Sequence, residues 1–379
     1  MEGHEELFDD APIASMTASS ATSATTSATT SPKSSFAMLG HLQPFQSPLH
    51  ISPIPLVYAD FTASSRCLTS IESYLPSTLL PFYANTHTTT SVTGAQSTAL
   101  SAEARQHIAE GVTAHVTGKA AKDVVLFTGA GSTSSINLAC KSINLNKDAI
   151  VVTSPYEHHS NLLPYRESGA TMHTAPCTPS GELDLPALAR LLESINREHP
   201  TRLKIGAFAH ASNITGLVTN LIPLTALLHH NNFLAFIDAA TSAPYLPIHM
   251  NPPSAPNSYI DALFISPHKF LGGPGATGVL VIKKSLLSQT NPPLDAGGGT
   301  VFYVTATDHR YLSSRSERNE GGTPNLPAVV RAGLAFIVKR RMAPTSQDQD
   351  QIAEQEFKAR DSALQVRTRS RCETTSSTG

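Results

Sequence analysis

Long apolar runs are missing from this 379-residue chain, and none reaches the roughly 18–20 residues that a membrane helix requires. A surplus of charge of either sign is missing too. Charged residues make up 15% and the formal net charge is -2, which excludes a general nucleic-acid or anionic-membrane surface. Cysteines are few: Cys67, Cys140, Cys177 and Cys372 lie far apart with no CxxC spacing. That excludes a disulfide framework or structural zinc site and points to a reducing compartment, the cytoplasm. No signal-peptide apolar block opens the chain, and Glu2, Glu5, Glu6, Asp9 and Asp10 carry the wrong charge for a mitochondrial presequence. No GxGxxG turn followed by a ribose-binding acid links a strand to a helix, which counts against dinucleotide binding. Present instead is 40% hydrophobic content, that of a globular protein with a core.

Residues 1–50 are rich in Ser, Thr, Ala and Pro and are expected to form a disordered leader, because they bury too little apolar surface to offset ordering entropy. Residues 344–379 are expected to hold a remnant helix, with Ile352, Phe357 and Leu364 as its apolar positions, and then an unstructured tail. Between them, 51–343 alternates. Strands are expected at Val124–Phe127, Ile150–Thr153, Ile205–His210, Phe233–Asp238, Ala262–Ser266 and Gly278–Ile282. Helical spacing joins Ile136, Cys140 and Ile143; Ile108, Val112 and Val116 mark another helix face, and Pro223–His230 a third helix. This alternation implies an α/β fold with a largely parallel sheet.

Polar residues cluster where those strands end. Gly129–Thr133 follows the first strand, Glu157 and His158 the second, and Asn213 the third; Asp238 ends the fourth, and Ser266, His268 and Lys269 follow the fifth. In open α/β sheets ligands sit outside the carboxyl ends of the strands, so parallel strands would bring five distant segments to one site. Each residue also has a plainer use when taken singly. The Gly/Ser/Thr turn reads as an N-cap, Asp238 as a strand-end cap, His158 as a packing histidine and Lys269 as a surface lysine. As a site, Gly131, Ser132 and Thr133 would offer N–H groups and hydroxyls to a phosphate at a helix start.

The segment Ser266-Pro-His-Lys-Phe-Leu-Gly-Gly-Pro-Gly resembles the Schiff-base lysine box of the class V aminotransferase family of pyridoxal-phosphate (PLP) enzymes, in particular its cysteine desulfurase and selenocysteine lyase branch. The resemblance runs from about Tyr58 to about Val338. Tyr58-Ala-Asp-Phe-Thr-Ala is similar to the family's opening strand, and Glu157-His158-His159-Ser160-Asn161 to its ring-stacking histidine box. Ser212-Asn213-Ile214-Thr215-Gly216 and Asp238-Ala239-Ala240 resemble its ring-binding segments, and Gly321-Gly322-Thr323-Pro324-Asn325 its late glycine-threonine box.

The resemblance implies the type I PLP-transferase fold, a large domain with a seven-stranded, mostly parallel sheet flanked by helices. It also implies that most of the small C-terminal domain is missing, so that the chain is truncated. Lys269 would hold the cofactor as a Schiff base and move the substrate's proton. Asp238 would pair with the ring nitrogen, His158 would stack on the ring and take part in catalysis, and Asn213 would meet the ring hydroxyl. Thr241 stands where desulfurases carry Gln and would be a shorter cofactor contact. Gly131, Ser132, Thr133, Ser266 and His268 would hold the phosphate, although Thr128-Gly-Ala-Gly-Ser-Thr133 departs from the family's usual spelling. Thr323 would reach the phosphate of a second subunit in a homodimer, and His87 would stand on the substrate side. The implied function is desulfurase-like or lyase-like chemistry on a small-molecule amino-acid substrate, without nucleic-acid, membrane or metal partners. An aminotransferase or another lyase of the same fold, or a PLP-binding remnant without turnover, are the other readings.

Overall fold

Short runs that are apolar at every position form the centre of the fold, because a strand covered on both faces has no polar side to present. The computed structural model describes residues 37–88, 90–119, 121–288 and 292–342. A two-residue ladder pairs β1 (Pro44–Phe45) with β2 (Ile54–Pro55). The central strands are β3 (Asp123–Gly129), β4 (Ile150–Thr153), β5 (Thr171–Thr174), β6 (Lys204–Ala209), β7 (Leu234–Asp238), β8 (Ala262–Ile265) and β9 (Gly278–Lys283). They form a seven-stranded sheet in the order β3-β9-β8-β7-β6-β4-β5. Every pair from β5 across to β8 is parallel, whereas β9 runs antiparallel to both β8 and β3. β10 (Val301–Val304) and β11 (His309–Tyr311) form a separate hairpin. The sheet is thus mostly parallel, as expected, with β9 reversed.

Alternation along each strand sorts its side chains onto two faces. Ile237, Leu263, Ile265 and Val281 enter one core, while Phe236, Phe264, Leu280 and Ile282 enter the other. The helices are α1 (Thr69–Tyr74), α2 (Val92–Gly111), α3 (Gly131–Ser142), α4 (Leu163–Glu167), α5 (Leu185–Glu198), α6 (Leu221–His230) and α7 (Leu326–Met342). Ile108 of α2, Leu192 of α5, Leu228 of α6 and Phe336 of α7 close the first core. Ile136 of α3 and Tyr165 of α4 close the second. Local chemistry sets these helices. Asp184 caps α5 by accepting from the Ala187 N–H at 2.9 Å, and Leu188, Leu192 and Ile195 then make its buried stripe. Close packing makes its own demand at Gly206 in β6. A Cβ there would lie 2.4 Å from the Leu228 side chain and 2.9 Å from that of Phe208, so any larger residue would force the buried contact of α6 with the sheet to shift.

Three expectations change. The apolar spacing Ile108, Val112, Val116 does not continue one helix: α2 ends at Gly111, and Thr113 turns the chain at φ +50. Tyr58–Ala63 is a turn and not a strand, with the Tyr58 hydroxyl and the Ala63 N–H both donating to the Asp60 carbonyl. The edge strand β5 was not expected, because Thr-Met-His-Thr has no apolar run. Within the expected leader, Met38 pairs with Leu68; residues 1–36, and the tail with Ile352, Phe357 and Leu364, lie outside the described residues. A second compact unit begins at Ile337, and of it only the end of α7 is described. Among the described residues no helix is long and apolar enough to cross a membrane.

The sheet edge where β7 and β8 begin is tied by buried charges. Lys283 donates to Asp123 at 2.7 Å and to Asn251 at 2.6 Å, and Asn251 donates to the other oxygen of Asp123 at 2.6 Å. Every strong donor and acceptor in this cluster has a partner, which is what makes a buried ion pair tolerable. Beside it, both ring nitrogens of His229 face acceptors: the Asn257 carbonyl at 2.9 Å and Asp261 at 2.8 Å. The ring stacks on Tyr259 at 4.0 Å. Burial pulls the pKa of His229 down and the Lys283 charge adds to that, but the bonds to Asp261 and Asn257 outweigh both and leave it above the ordinary 6.5. The linkage sign follows. A raised folded pKa stabilises fully below 6.5, and that stabilisation is lost as pH rises through the higher folded value. Urea unfolding should therefore show the stability advantage of the native chain over His229→Gln narrowing as pH rises above neutrality. A margin that stays constant would mean that His229 is neutral throughout.

Candidate active site

The carboxyl ends of β3, β4, β6, β7 and β8 open into one cavity of about 650 Å³. Ten of the residues singled out by sequence reach its wall: Gly131, Ser132 and Thr133 from the turn after β3, His158 after β4, Asn213 after β6, Asp238 and Thr241 at the end of β7, and Ser266, His268 and Lys269 after β8. Thr323 and His87 do not line it. Thr323 is exposed in the loop before α7. His87 sits at φ +63 with its ring beside Gly299.

The turn after β3 is shaped for close approach. Gly131 has φ +57, and a Cβ on it would lie 2.9 Å from both His268 and the Ser266 hydroxyl. Helix α3 starts there with Ala130 at its N-cap and no capping side chain. The Ser132 N–H instead donates to the Ser266 hydroxyl at 2.9 Å, and the two serine hydroxyls are 3.0 Å apart. A helix start with glycine, hydroxyls and imidazole around it suits an anion.

Asp238 ends β7, between Ala209 of β6 and Phe264 of β8 in the pairing register. Burial raises its carboxyl above the ordinary value. The Ala240 N–H (2.9 Å), the charges of Lys269 and His158 and the Ser132 hydroxyl oppose the rise without cancelling it. Lys269 closes a short turn, its N–H donating to the Ser266 carbonyl at 3.0 Å. Burial lowers the basicity of its amine, against the pull of Asp238 and Asp60. Burial and the neighbouring Lys269 likewise lower the pKa of His268. An amine of reduced basicity, an acid held above its usual range and an anion-ready helix start therefore share one space.

Sequence reasoning gave no role to four residues in or behind this site. Asp60 and Thr62 line the cavity from the turn after Tyr58, and that turn is fastened to the lysine box by Ser65 N–H donating to the His268 carbonyl at 3.1 Å. Ser160 lines it also, between His158 and Thr133. Glu157 braces the site from behind. It accepts from the Ser154 hydroxyl at 2.5 Å, Asn161 at 2.7 Å and the Ala209 N–H at 2.9 Å. Burial pushes its carboxyl up to about 7, the three bonds holding it back and the charge of Asp238 adding to the rise. A glutamate beside the histidine box was visible in the sequence; that it reaches across to β6 was not.

Comparison with known proteins places this geometry. The family model "Aminotransferase class-V" matches residues 57–376. The chain is 26% identical over 293 residues to a cysteine desulfurase of Escherichia coli O139:H28, covering 76% of this chain and 67% of the relative. It is 32% identical over 232 residues to the probable cysteine desulfurase 2 of Mycobacterium leprae, covering 58% of this chain but only 51% of that protein. Among solved structures, the apo cysteine desulfurase from Thermococcus onnurineus NA1 superposes with a TM-score of 0.64 at 25% identity, over 76% of this chain and 68% of that one. The sheet and its flanking helices are those of the type I fold of PLP-dependent enzymes. With a family model spanning most of its length and the lysine box at the floor of its cavity, this chain belongs to the aminotransferase class-V family.

Proposed function

We propose that this chain is a PLP-dependent enzyme acting on an amino acid, with cysteine desulfuration or a related lyase reaction as its chemistry. The observation that carries the proposal is the meeting of Lys269, Asp238 and the start of α3 in one cavity. The donor set fits the cofactor group by group. Lys269 would hold its aldehyde, Asp238 its ring nitrogen and His158 its ring face, with Asn213 and Thr241 at the ring's polar edge. Gly131, Ser132, Thr133, Ser266 and His268 would take the phosphate, and the glycine cradle at Gly131 is the space a side chain would fill. The type of relative favours desulfuration over amino transfer, since the similar proteins are cysteine desulfurases. A homodimer, with Thr323 directed to the second subunit's phosphate, and a substrate-side place for His87 are further parts of the proposal. So is the division into a PLP-binding unit at 51–343 and flanking segments.

When bound, the cofactor supplies a sink for the electron pair left at the substrate's α-carbon. The protein's own groups do the rest. Burial keeps more of the Lys269 amine unprotonated than a surface lysine would have, so Nζ can take and return a proton. Asp238, once opposite a cation, would ionise and keep that cation protonated. The Ser160 backbone N–H donates to His158 Nδ1 at 3.2 Å. A backbone N–H only donates, so the neutral His158 ring carries its proton on Nε2.

Two measurements test the reading. Protein incubated with PLP, reduced with borohydride and digested should yield one modified peptide, containing Lys269. Incubation of the loaded protein with cysteine should then release alanine and reducible sulfur. Modification at another lysine ends the site assignment. Transfer of the amino group to an added keto acid, with no sulfur released, would move the reaction to amino transfer.

A further inference from the structure

We propose that Arg105 and Glu320 are positioning residues: their ion pair takes the place of a neighbouring strand at the free edge of β3 and so fixes the turn that receives the cofactor's phosphate. The inference deepens the reading above and rests on it in one respect, that the start of α3 is the phosphate end of the cavity.

β3 is an outer strand of the sheet, with β9 as its one neighbour there. The outward N–H and C=O groups of such a strand have no ladder partner. Two of them are met by side chains. The Phe127 N–H donates to Glu320 Oε1 at 2.6 Å, and the Val125 carbonyl accepts from Arg105 Nη1. The two side chains hold each other as a bidentate pair, Nη1 to Oε1 at 3.0 Å and Nη2 to Oε2 at 2.7 Å. A strand added at this edge would offer a carbonyl to Phe127 and an N–H to Val125. The pair offers the same polarity in the same order, with charge behind each bond. The guanidinium also lies over the Phe127 ring, 4.6 Å from its centre. The two side chains are only 20% and 15% exposed, so solvent screens them little.

The clasp grips β3 where its inner ladder becomes irregular. Register with β9 is one-to-one from Asp123 to Phe127 and slips between Phe127 and Gly129. Phe127 is thus the last residue before the bulge, and α3 starts at Gly131. A bulge bends and twists the strand that carries it, so the outer bonds at Phe127 and Val125 decide the direction in which the chain enters the anion turn. Beyond Glu320, the Gly322 N–H donates to the Gly298 carbonyl at 2.8 Å. A Cβ on Gly321 would lie 2.3 Å from the Asp295 carbonyl oxygen, so the chain is threaded closely there. One pair of side chains therefore sets both the strand that leads to the anion turn and the segment that leads to Thr323. Neither residue lines the cavity, and their effect passes through β3.

The test compares PLP with pyridoxal, which lacks the phosphate, by equilibrium dialysis against the cofactor-free full chain. Hydrogen exchange follows the Phe127 amide. The native chain should prefer PLP and should protect that amide although it lies on an outer strand. Glu320→Ala should speed exchange at Phe127 by about tenfold or more, since a hydrogen bond to a charged group is lost. It should weaken PLP by a similar factor and leave pyridoxal within about twofold of native. Arg105→Glu combined with Glu320→Arg keeps an ion pair but turns a donor toward the Phe127 N–H and an acceptor toward the Val125 carbonyl. This double variant should behave as Glu320→Ala does. Native PLP binding in it would mean that an ion pair of either polarity suffices, and the strand-like role is wrong. Equal weakening of PLP and pyridoxal in Glu320→Ala would mean general damage and also overturns the proposal. A native preference for PLP that survives in Glu320→Ala ends the clasp and leaves the anion site standing, whereas a native chain without that preference ends both. If Glu320→Ala does not fold, Arg105→Lys takes its place, because it keeps the charge and loses the fork. An unchanged preference for PLP in Arg105→Lys, or a native Phe127 amide that exchanges as fast as an open strand edge, rejects the proposal.

Discussion

Lys269→Ala should lower amino-acid turnover by at least about 10³-fold, since it removes a nucleophile and a proton carrier together. It should also abolish the borohydride-stable label, because among the described residues no other lysine lines the cavity. Lys269→Arg separates charge from chemistry. The guanidinium keeps the positive charge opposite Asp238 and Asp60 but does not act as a nucleophile or release its proton near neutrality. The arginine variant should therefore be as inactive as the alanine variant while keeping more affinity for the cofactor, measured by fluorescence titration. An arginine variant with more than about a hundredth of native activity would remove Lys269 from proton transfer, because that transfer alone is worth roughly 10²–10⁴-fold.

Asp238→Asn should produce opposite effects on activity and on stability. With Asp238 opposite the ring nitrogen of a bound cofactor, as proposed, an amide would leave that cation without a counter-charge. Breaking a buried pair costs about 3–5 kcal/mol, which is roughly 10²–10⁴-fold in kcat/KM. In the chain without cofactor the same carboxyl is a liability. Burial holds its folded pKa above the ordinary 3.8, so the native state binds more protons than the unfolded state in that window. The contribution of this one group to stability is then most favourable below 3.8 and declines as pH rises through the folded pKa. The Asn variant lacks this decline, and its Oδ1 can still accept from the Ala240 N–H. Urea unfolding of cofactor-free protein near neutrality should find the variant at least as stable as the native chain. A less stable variant would show that Asp238 is there to hold the fold and not to meet a ligand.

What could be read from the sequence, and what could not, follows from how far each signal reaches along the chain. The apolar runs that became β4, β6, β7 and β8 were legible because both of their faces are covered. Their direction was not: Gly278–Lys283 has the same composition whichever way it runs, so the reversal of β9 could not be seen. β5 escaped because an edge strand of Thr, Met, His and Thr is half exposed and has no apolar run. The strand-end places of Lys269 and Asp238 were legible from the sequence, whereas the chemistry expected of them came from the family resemblance of the Ser266–Gly275 segment. Asp60 was missed because its place depends on a turn fastened to His268, about two hundred residues later in the chain. Glu157 was seen as a neighbour of the histidine box, yet its bond to the Ala209 N–H spans 52 positions and leaves no local trace.

The two edges of the central sheet differ in what their polar groups are left to do. At the edge where Asp123, Lys283 and Asn251 interlock, each group is already committed to another. At the far edge most of the groups that line the cavity sit on the separate turns that follow the strands. A change of reaction can therefore be reached by altering loops one at a time, with the foundation undisturbed. This division of labour between anchorage and invention lets a lineage explore new substrates while its architecture stands still.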